Sequence, residues 1–183
     1  RWGAAGGMRS LVEALASGLE IEQGEVSSVS TSASGALSVD GRAASAVVLA
    51  MPDAQAARLL SPDPAPVAGV LTRDYEPILA LTAWWPERVW DSTEGAFQGA
   101  FVNDDPELSW VADDGRRRGD DAAVLVAHST PGFAAPYVPD PQAALPAMTA
   151  ALQRVLAITA PPSGTHLQRW SMAKPLGTRD EPF

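Results

Sequence analysis

The apolar positions of this chain follow two periods. Met8, Leu11, Val12, Leu15, Ala16 and Leu19 recur at the spacing of one helix face, which predicts an amphipathic helix opening after Gly6-Gly7 and ending at Gly18. From Leu19 the pattern shortens. Leu19 to Gln23, Val26 to Thr31, Ala36 to Val39 and Arg42 to Ala44 read as short strands, with turns at Ser34-Gly35 and Asp40-Gly41; aspartate–glycine between apolar runs is a strong hairpin signal. Ala46 to Ala50 is a continuous apolar run, too short for an ordinary helix, and reads as a strand buried on both faces. Met51-Pro52 stops it, and Asp53 is placed to cap a short helix carrying Ala54, Ala57, Leu59 and Leu60.

Ser61 to Pro66, SPDPAP, excludes regular structure and marks a crossing between domains. Tyr75 to Trp85 is a long strand apolar on both sides, ended by Pro86. Phe97 to Val102 and Leu108 to Ala112 form a strand pair around the turn Asn103-Asp104-Asp105-Pro106. Ala122 to His128 is a further buried strand. Leu145, Met148, Leu152, Val155 and Leu156 mark a late amphipathic helix after Asp140-Pro141. His166 to Met172 is the last strand. The order predicts a mixed α+β and α/β chain of two subdomains. The first covers residues 1–72 (helix, β-meander, buried strand). The second covers 73–170 (antiparallel sheet with a helix across it). Residues 171–183 return toward the first.

Composition narrows the function. The chain has 183 residues, 46% hydrophobic, with a formal charge of -9. That balance disfavours nucleic acid and anionic membranes as partners. Lys174 is the only lysine among thirteen cations. There is no cysteine, which excludes disulfides, zinc-thiolate sites and thiol catalysis. No run reaches a transmembrane length and no signal peptide is present, so the expected location is cytoplasmic. The chain starts at Arg1 and stops at Phe183 without a closing element. It therefore reads as an internal piece of a longer protein.

The candidate chemistry is sparse. No GxSxG, HExxH, P-loop or GxGxxG is present. With two histidines and one lysine, self-contained acid–base catalysis is poorly provisioned. An enzyme built this way would rely on a cofactor. Asp104, Asp105 and Glu107 lack a metal-ligand periodicity. Arg116 to Arg118 could hold an anion, but their flanking aspartates favour internal neutralisation. His128 ends its strand, where it points into a cleft or serves as a structural residue.

Six stretches together resemble the flavin-containing amine oxidase superfamily, and within it bacterial renalase-type NAD/FAD-dependent oxidoreductases. GGMRSLVEALASGLEI at 6–21 is similar to the family's glycine–methionine helix, and EVSSVS at 25–30 to the strand after it. SAVVLAMPDAQAARLL at 45–60 resembles its strand–proline–helix unit. FVNDDPELSWVADDGRRRG at 101–119, AVLVAHSTPGF and HLQRWSMAKP at 166–175 resemble the substrate domain. The resemblance implies an incomplete FAD-binding subdomain of glutathione-reductase type. To this is joined an antiparallel substrate domain with a covering helix, in the arrangement of para-hydroxybenzoate hydroxylase.

The resemblance also implies roles. Gly7 and Met8 would lie near the isoalloxazine, Val26 would meet the adenine end through its backbone, and Ala50, Met51 and Pro52 would pass close to the cofactor. His128, Arg169 and Trp170 would face substrate from the sheet. The implied reaction is hydride transfer from a small-molecule substrate, a dihydronicotinamide isomer or an amine, to flavin, with reoxidation by oxygen. The family's GxGxxG and its C-terminal Gly-Asp segment are absent from this sequence, and 113–119 lacks the usual lysine-proline character. The chain is therefore expected to be inactive alone and not to retain FAD. Self-association through an exposed sheet edge is a further expectation. Two alternatives are a non-catalytic interaction domain displaying Trp84, Trp85, Trp90 and Trp110, and a relative that oxidises carotenoids or protoporphyrinogen.

Overall fold

A computed structural model describes residues 7–60, 71–90 and 97–177. The chain divides into two compact units. One comprises residues 1–19 and 76–173, the other residues 20–75 and 174–183.

The larger unit is built on a sheet. Its strands are β4 (Tyr75–Trp84), β5 (Gly99–Phe101), β6 (Leu108–Asp113), β7 (Val124–Ser129) and β8 (Gly164–Pro175), in the spatial order β5-β6-β7-β4-β8. The pairs β5·β6, β6·β7 and β4·β7 are antiparallel. One face of the sheet supplies Leu79, Leu81, Ala83, Leu125 and Ala127, all fully buried. Against them packs helix α5 (Leu145–Val155), which presents Met148, Ala151 and Leu152. The alternation that puts every second residue on this face is the pleat of the strand. It also corrects the two-sided burial expected of β4. Leu79, Leu81 and Ala83 are sealed on one side, whereas on the other Ala80 is buried, Ile78 and Thr82 are half-buried and Trp84 is exposed. Trp85 and Trp90 are 5% and 2% exposed and meet edge to face within the same core.

Asp105 and Glu107 lie between β5 and β6. Both accept from Arg154 of α5, at 2.6 and 2.7 Å, and so tie the β5–β6 turn to the covering helix. Among the described residues no acidic or histidine cluster has the form of a metal site. No helix there is long and apolar enough to cross a membrane.

Helix α1 (Met8–Ala16) belongs to this unit and forms as its periodicity predicts, with Gly18 in the left-handed region after it. Its apolar face is not packed, however. Met8, Leu11, Val12 and Leu15 are all exposed, Leu15 to 71%.

The smaller unit holds the meander β1 (Val29–Thr31), β2 (Leu37–Val39) and β3 (Arg42–Ala44), consecutively antiparallel. Asp40 and Gly41 both take positive φ, 46° and 79°, as a two-residue hairpin turn of the primed kind requires. Leu19 to Gln23 is not a strand. Ala46 to Ala50 is extended but joins no sheet among the described residues, and Val48 is 87% exposed. Both correct the expectation. A short apolar run becomes a buried strand only where neighbouring edges satisfy its backbone, and here the nearest pairing is one parallel bridge, Val29 to Leu60.

Helix α2 (Asp53–Leu59) follows as expected, but Asp53 is its first residue and Pro52 its cap. The Asp53 carboxylate accepts instead from the Arg73 amide and the Tyr75 hydroxyl, at 3.1 and 3.3 Å. It thus pins the segment that enters β4. The SPDPAP crossing lies outside the described residues.

Candidate functional site

The face of the large sheet opposite α5 carries one continuous cross-strand row. Phe101 opposes Trp110, Trp110 opposes His128, and His128 opposes Ala80. The row depends on an irregularity. Between Leu108 and Trp110 the β6·β7 register slips by one residue at Ser109. This is a bulge, which turns the side chain after it to a chosen face. The Ser109 hydroxyl fixes it by donating to the Ser129 carbonyl at 2.8 Å. As a result Trp110 lies beside His128, with ring centroids 4.8 Å apart and planes tilted by 45°.

A second device sits over this row. Helix α3 (Asp114–Arg118) follows β6 directly. Asp113, 1% exposed, caps it by accepting from the Arg116 amide at 3.0 Å. The other carboxylate oxygen accepts from Trp90 Nε1 at 2.9 Å and from Arg88 Nη1. Gly115 is required because a side chain there would run into the backbone of Ala122. So fixed, α3 holds the Arg117 guanidinium 5.4 Å from the centre of the Trp110 ring, a cation–π distance. Gln98, Gly99, Phe101, Trp110 and Arg117 line a concavity of about 250 Å³. Gly99 matters because a Cβ there would come within 3.1 Å of the Trp110 ring.

The expected site residues fall into separate places. His128 belongs to the row just described. Trp170 is 55% exposed on β8. It lies on the opposite side of that strand from Leu167, which enters the core. Arg169 shares the Leu167 side by the same alternation, and its Nη1 donates to the Val138 carbonyl at 2.7 Å. Gly7, with φ 86°, precedes α1, and a Cβ on it would lie 3.9 Å from Arg118 Cδ. Gly7 is thus beside α3. Met8 is exposed on the first turn of α1.

Val26, Ala50, Met51 and Pro52 belong to the smaller unit. There Val26 and Met51 line one concavity of about 690 Å³ together with Glu25, Ser27, Gln55 and Arg58. Val26 also borders a second, of about 380 Å³, with Glu22, Val39, Asp40 and Arg42. The extended Gly24–Ser27 backbone forms the wall of the first. Asp40 fixes that wall by accepting from the Ser27 and Ser28 amides, at 3.1 and 2.8 Å. Those amides hold its carboxyl below the usual range. Arg42 and Glu22 pair at 2.7 Å, and this hydrogen bond raises the Arg42 guanidinium further. Neither Ala50 nor Pro52 borders these concavities.

Sequence reasoning missed Phe101 and, though it raised an anion role for Arg116 to Arg118, did not single out Arg117. The neutralisation expected of Arg116 to Arg118 does occur, with Arg118 held by Asp114 and Asp120 at 3.2 and 3.1 Å. Yet Arg117 has only a 3.6 Å approach to Asp114 and is turned over Trp110. The four tryptophans do not make one surface patch. Two are core, Trp110 lines the concavity, and Trp84 packs against Gly164, where no side chain would fit.

Solved structures similar to this chain include oxidases. A proposed protoporphyrinogen oxidase from Exiguobacterium sp. 255-15 superimposes with a TM-score of 0.69 at 20% identity, over 94% of this chain and 40% of that one. Cyclohexylamine oxidase from Brevibacterium oxydans IH-35A gives 0.69 at 17% identity, over 90% and 38%. Putrescine oxidase, in a structure bound to putrescine, gives 0.63 at 23% identity, over 88% and 38%. This chain therefore spans about 40% of the length of these proteins. At such identities the likeness is one of fold. No curated protein sequence matches the chain. The family model of flavin containing amine oxidoreductases matches residues 1–179, and the chain belongs to that family.

Proposed function

We propose that the chain supplies the substrate sheet and part of the FAD-binding region of an FAD-dependent oxidoreductase. The observation that carries this reading is the sheet's second face, on which Phe101 is exposed and Trp110 and His128 are half-buried. One face is sealed by α5, and the other presents Phe101, Trp110 and His128 in register. That is the disposition of a sheet that roofs a reaction site. The chemistry FAD supplies when bound is acceptance of a hydride from a substrate C–H, with reoxidation by oxygen.

The residues present fit one end of such a cofactor. Val26 and Met51 would hold the adenine end in the 690 Å³ concavity, between a main-chain wall and an apolar side. Among the described residues Arg58 is the one cation bordering it, so a pyrophosphate would need donors beyond this set. Gly7 and Met8 would lie along the isoalloxazine, and Ala50 and Pro52 would flank the passage of the cofactor. His128 and Trp170 would face substrate. Arg169, bonded to Val138, would act by holding β8 against its cover. The resemblance to renalase-type members suggests a dihydronicotinamide isomer as substrate, with an amine as the competing class, but the size and lining of the Trp110 concavity favour neither. A cytoplasmic setting accords with that reading.

The test uses the full-length protein and the 183-residue chain side by side. The full-length protein should purify with stoichiometric flavin, bleach anaerobically with its substrate and recover in air. The shorter chain should purify without flavin. A colourless full-length protein that takes up no added FAD would overturn the proposal.

A further inference from the structure

We infer that the concavity over Trp110 selects a flat ring carrying an anionic group, an aromatic carboxylate, and rejects a free amine. The inference rests on the proposed substrate role of this sheet face and gives it a chemical class. Three observations support it. First, the lining is aromatic on two sides, Phe101 and Trp110, with Gly99 allowing the indole to lie against β5. Such walls take a planar ring. At about 250 Å³ the space lies below the range of drug-sized sites and admits one ring rather than a dinucleotide.

Second, the charge bordering that space is positive. Among the described residues Arg117 lines it and no acidic side chain does. Arg117 Nη1 forms an ion pair with Asp114 Oδ1 at 3.6 Å, too long for a hydrogen bond, so the guanidinium can still donate to a ligand. A planar guanidinium fork matches a carboxylate and stacks on an indole at the same time. An ammonium would meet a like charge and, among the described lining residues, find no carboxylate to pair with.

Third, Arg117 is placed rather than loose. The Asp113 cap, the Gly115 contact and the left-handed Gly119 all fix α3. Asp113 is therefore a positioning residue for this pocket. Its carboxylate joins the α3 amides to Trp90 and Arg88 of the core.

The experiment titrates the 183-residue chain, which contains the whole pocket, with benzoate, benzamide and benzylamine. Trp110 indole and Arg117 Nε–H resonances are followed by NMR. Benzoate should shift both resonances and bind at least about ten-fold more tightly than benzamide, as expected for a charge-assisted bidentate bond. Benzylamine should shift neither. Arg117→Gln should abolish the preference for benzoate. Arg118→Gln should leave it in place, because Arg118 is turned to Asp114 and Asp120. Equal binding of benzylamine and benzoate would overturn the inference, and so would a benzoate preference that survives Arg117→Gln. Amide spectra of each variant confirm that the sheet is intact. Flavin content of the full-length protein is scored separately. A flavin-loaded protein whose Trp110 ignores benzoate overturns this inference alone. Benzoate binding with no flavin in the full-length protein overturns only the flavoenzyme reading.

Discussion

The two units of this chain use similar apolar runs to opposite effect. In the 76–173 unit, strand alternation and the periodicity of α5 meet, and Leu79, Leu81, Leu125, Met148 and Leu152 are fully buried together. In the 20–75 unit only Val29 and Ala56 are buried hydrophobics among the described residues, while Ile21, Val26, Val48 and Met51 are exposed. Hydrophobicity along the chain is comparable; what differs is the partner. A sheet covered by a helix closes its own core. A three-stranded meander with one short helix has too little surface to close one. The first unit is stable by its own contacts. The second is a surface that waits for something to cover it, and its concavities lie against that surface.

The largest effect that separates the two is expected at Asp113. Asp113→Ala removes a buried acceptor shared by Arg88, Trp90 and the α3 cap. Breaking a buried pair of this kind costs about 3–5 kcal/mol. Denaturant melts should show that loss, together with loss of the Trp110 indole shift caused by benzoate. Next come the packed leucines. Leu152→Ala should cost about 2–5 kcal/mol, whereas Val48→Ala should stay within about 0.5 kcal/mol. Native-state hydrogen exchange sharpens the contrast, since β4, β6 and β7 amides should exchange by global unfolding and those of the meander by local opening. Equal costs for the Leu152 and Val48 variants would break the comparison.

These outcomes follow how legible each part was in the sequence. Strands β4, β6 and β7 and helix α5 were readable because their patterns are completed by contacts inside the same chain. The run Ala46 to Ala50 was not, because its pattern describes burial that the described residues do not supply. The amphipathic face of α1 misleads for the same reason. At the candidate site, His128 was visible as a polar residue closing an apolar strand. Its neighbour Trp110 was not, since their alignment depends on the bulge at Ser109. Nothing in the residue pattern of 108–113 marks that slip. Arg117 was hidden by composition. Alternating charges announce neutralisation, and only the helical turn from Asp114 to Arg118 shows which arginine, still paired with its aspartate at 3.6 Å, also reaches Trp110.

A smaller effect tests whether the meander, though open, is still specified by its turns. Gly41 has φ 79°, which a side chain adopts only with strain. Gly41→Ala should therefore cost about 1 kcal/mol. The loss should be confined to the β1–β3 amides and leave the sheet of the larger unit unchanged. Loss of the Val29–Val39 pairing in exchange data would locate it.

The smallest effect is electrostatic and has the same sign in both units. Asp40 in the meander is held below the ordinary carboxyl value of 3.8 by the Ser27 and Ser28 amides. Burial raises the Asp105 carboxyl, but the Leu108 amide, Arg154 and the Glu107 amide outweigh it, so that it too lies below 3.8. A carboxyl whose folded pKa is depressed binds its proton more readily in the unfolded chain. Its contribution is thus complete above the unfolded value and disappears as pH falls through the folded one. For Asp105, whose partner Arg154 is half-exposed, the contribution is about 0.2–1 kcal/mol after solvent screening. Acidification from pH 5 to 2 should therefore remove it from the wild-type chain, while Asp105→Asn, already lacking it, should show a shallower loss of stability over that window. In the meander the same titration should release the Ser27 and Ser28 amides to exchange, and Asp40→Asn should exchange them readily at every pH. Were Ser27 and Ser28 to stay protected at pH 2 in the wild-type chain, some interaction other than the Asp40 carboxylate would be holding the wall of the concavity that Val26 and Met51 line.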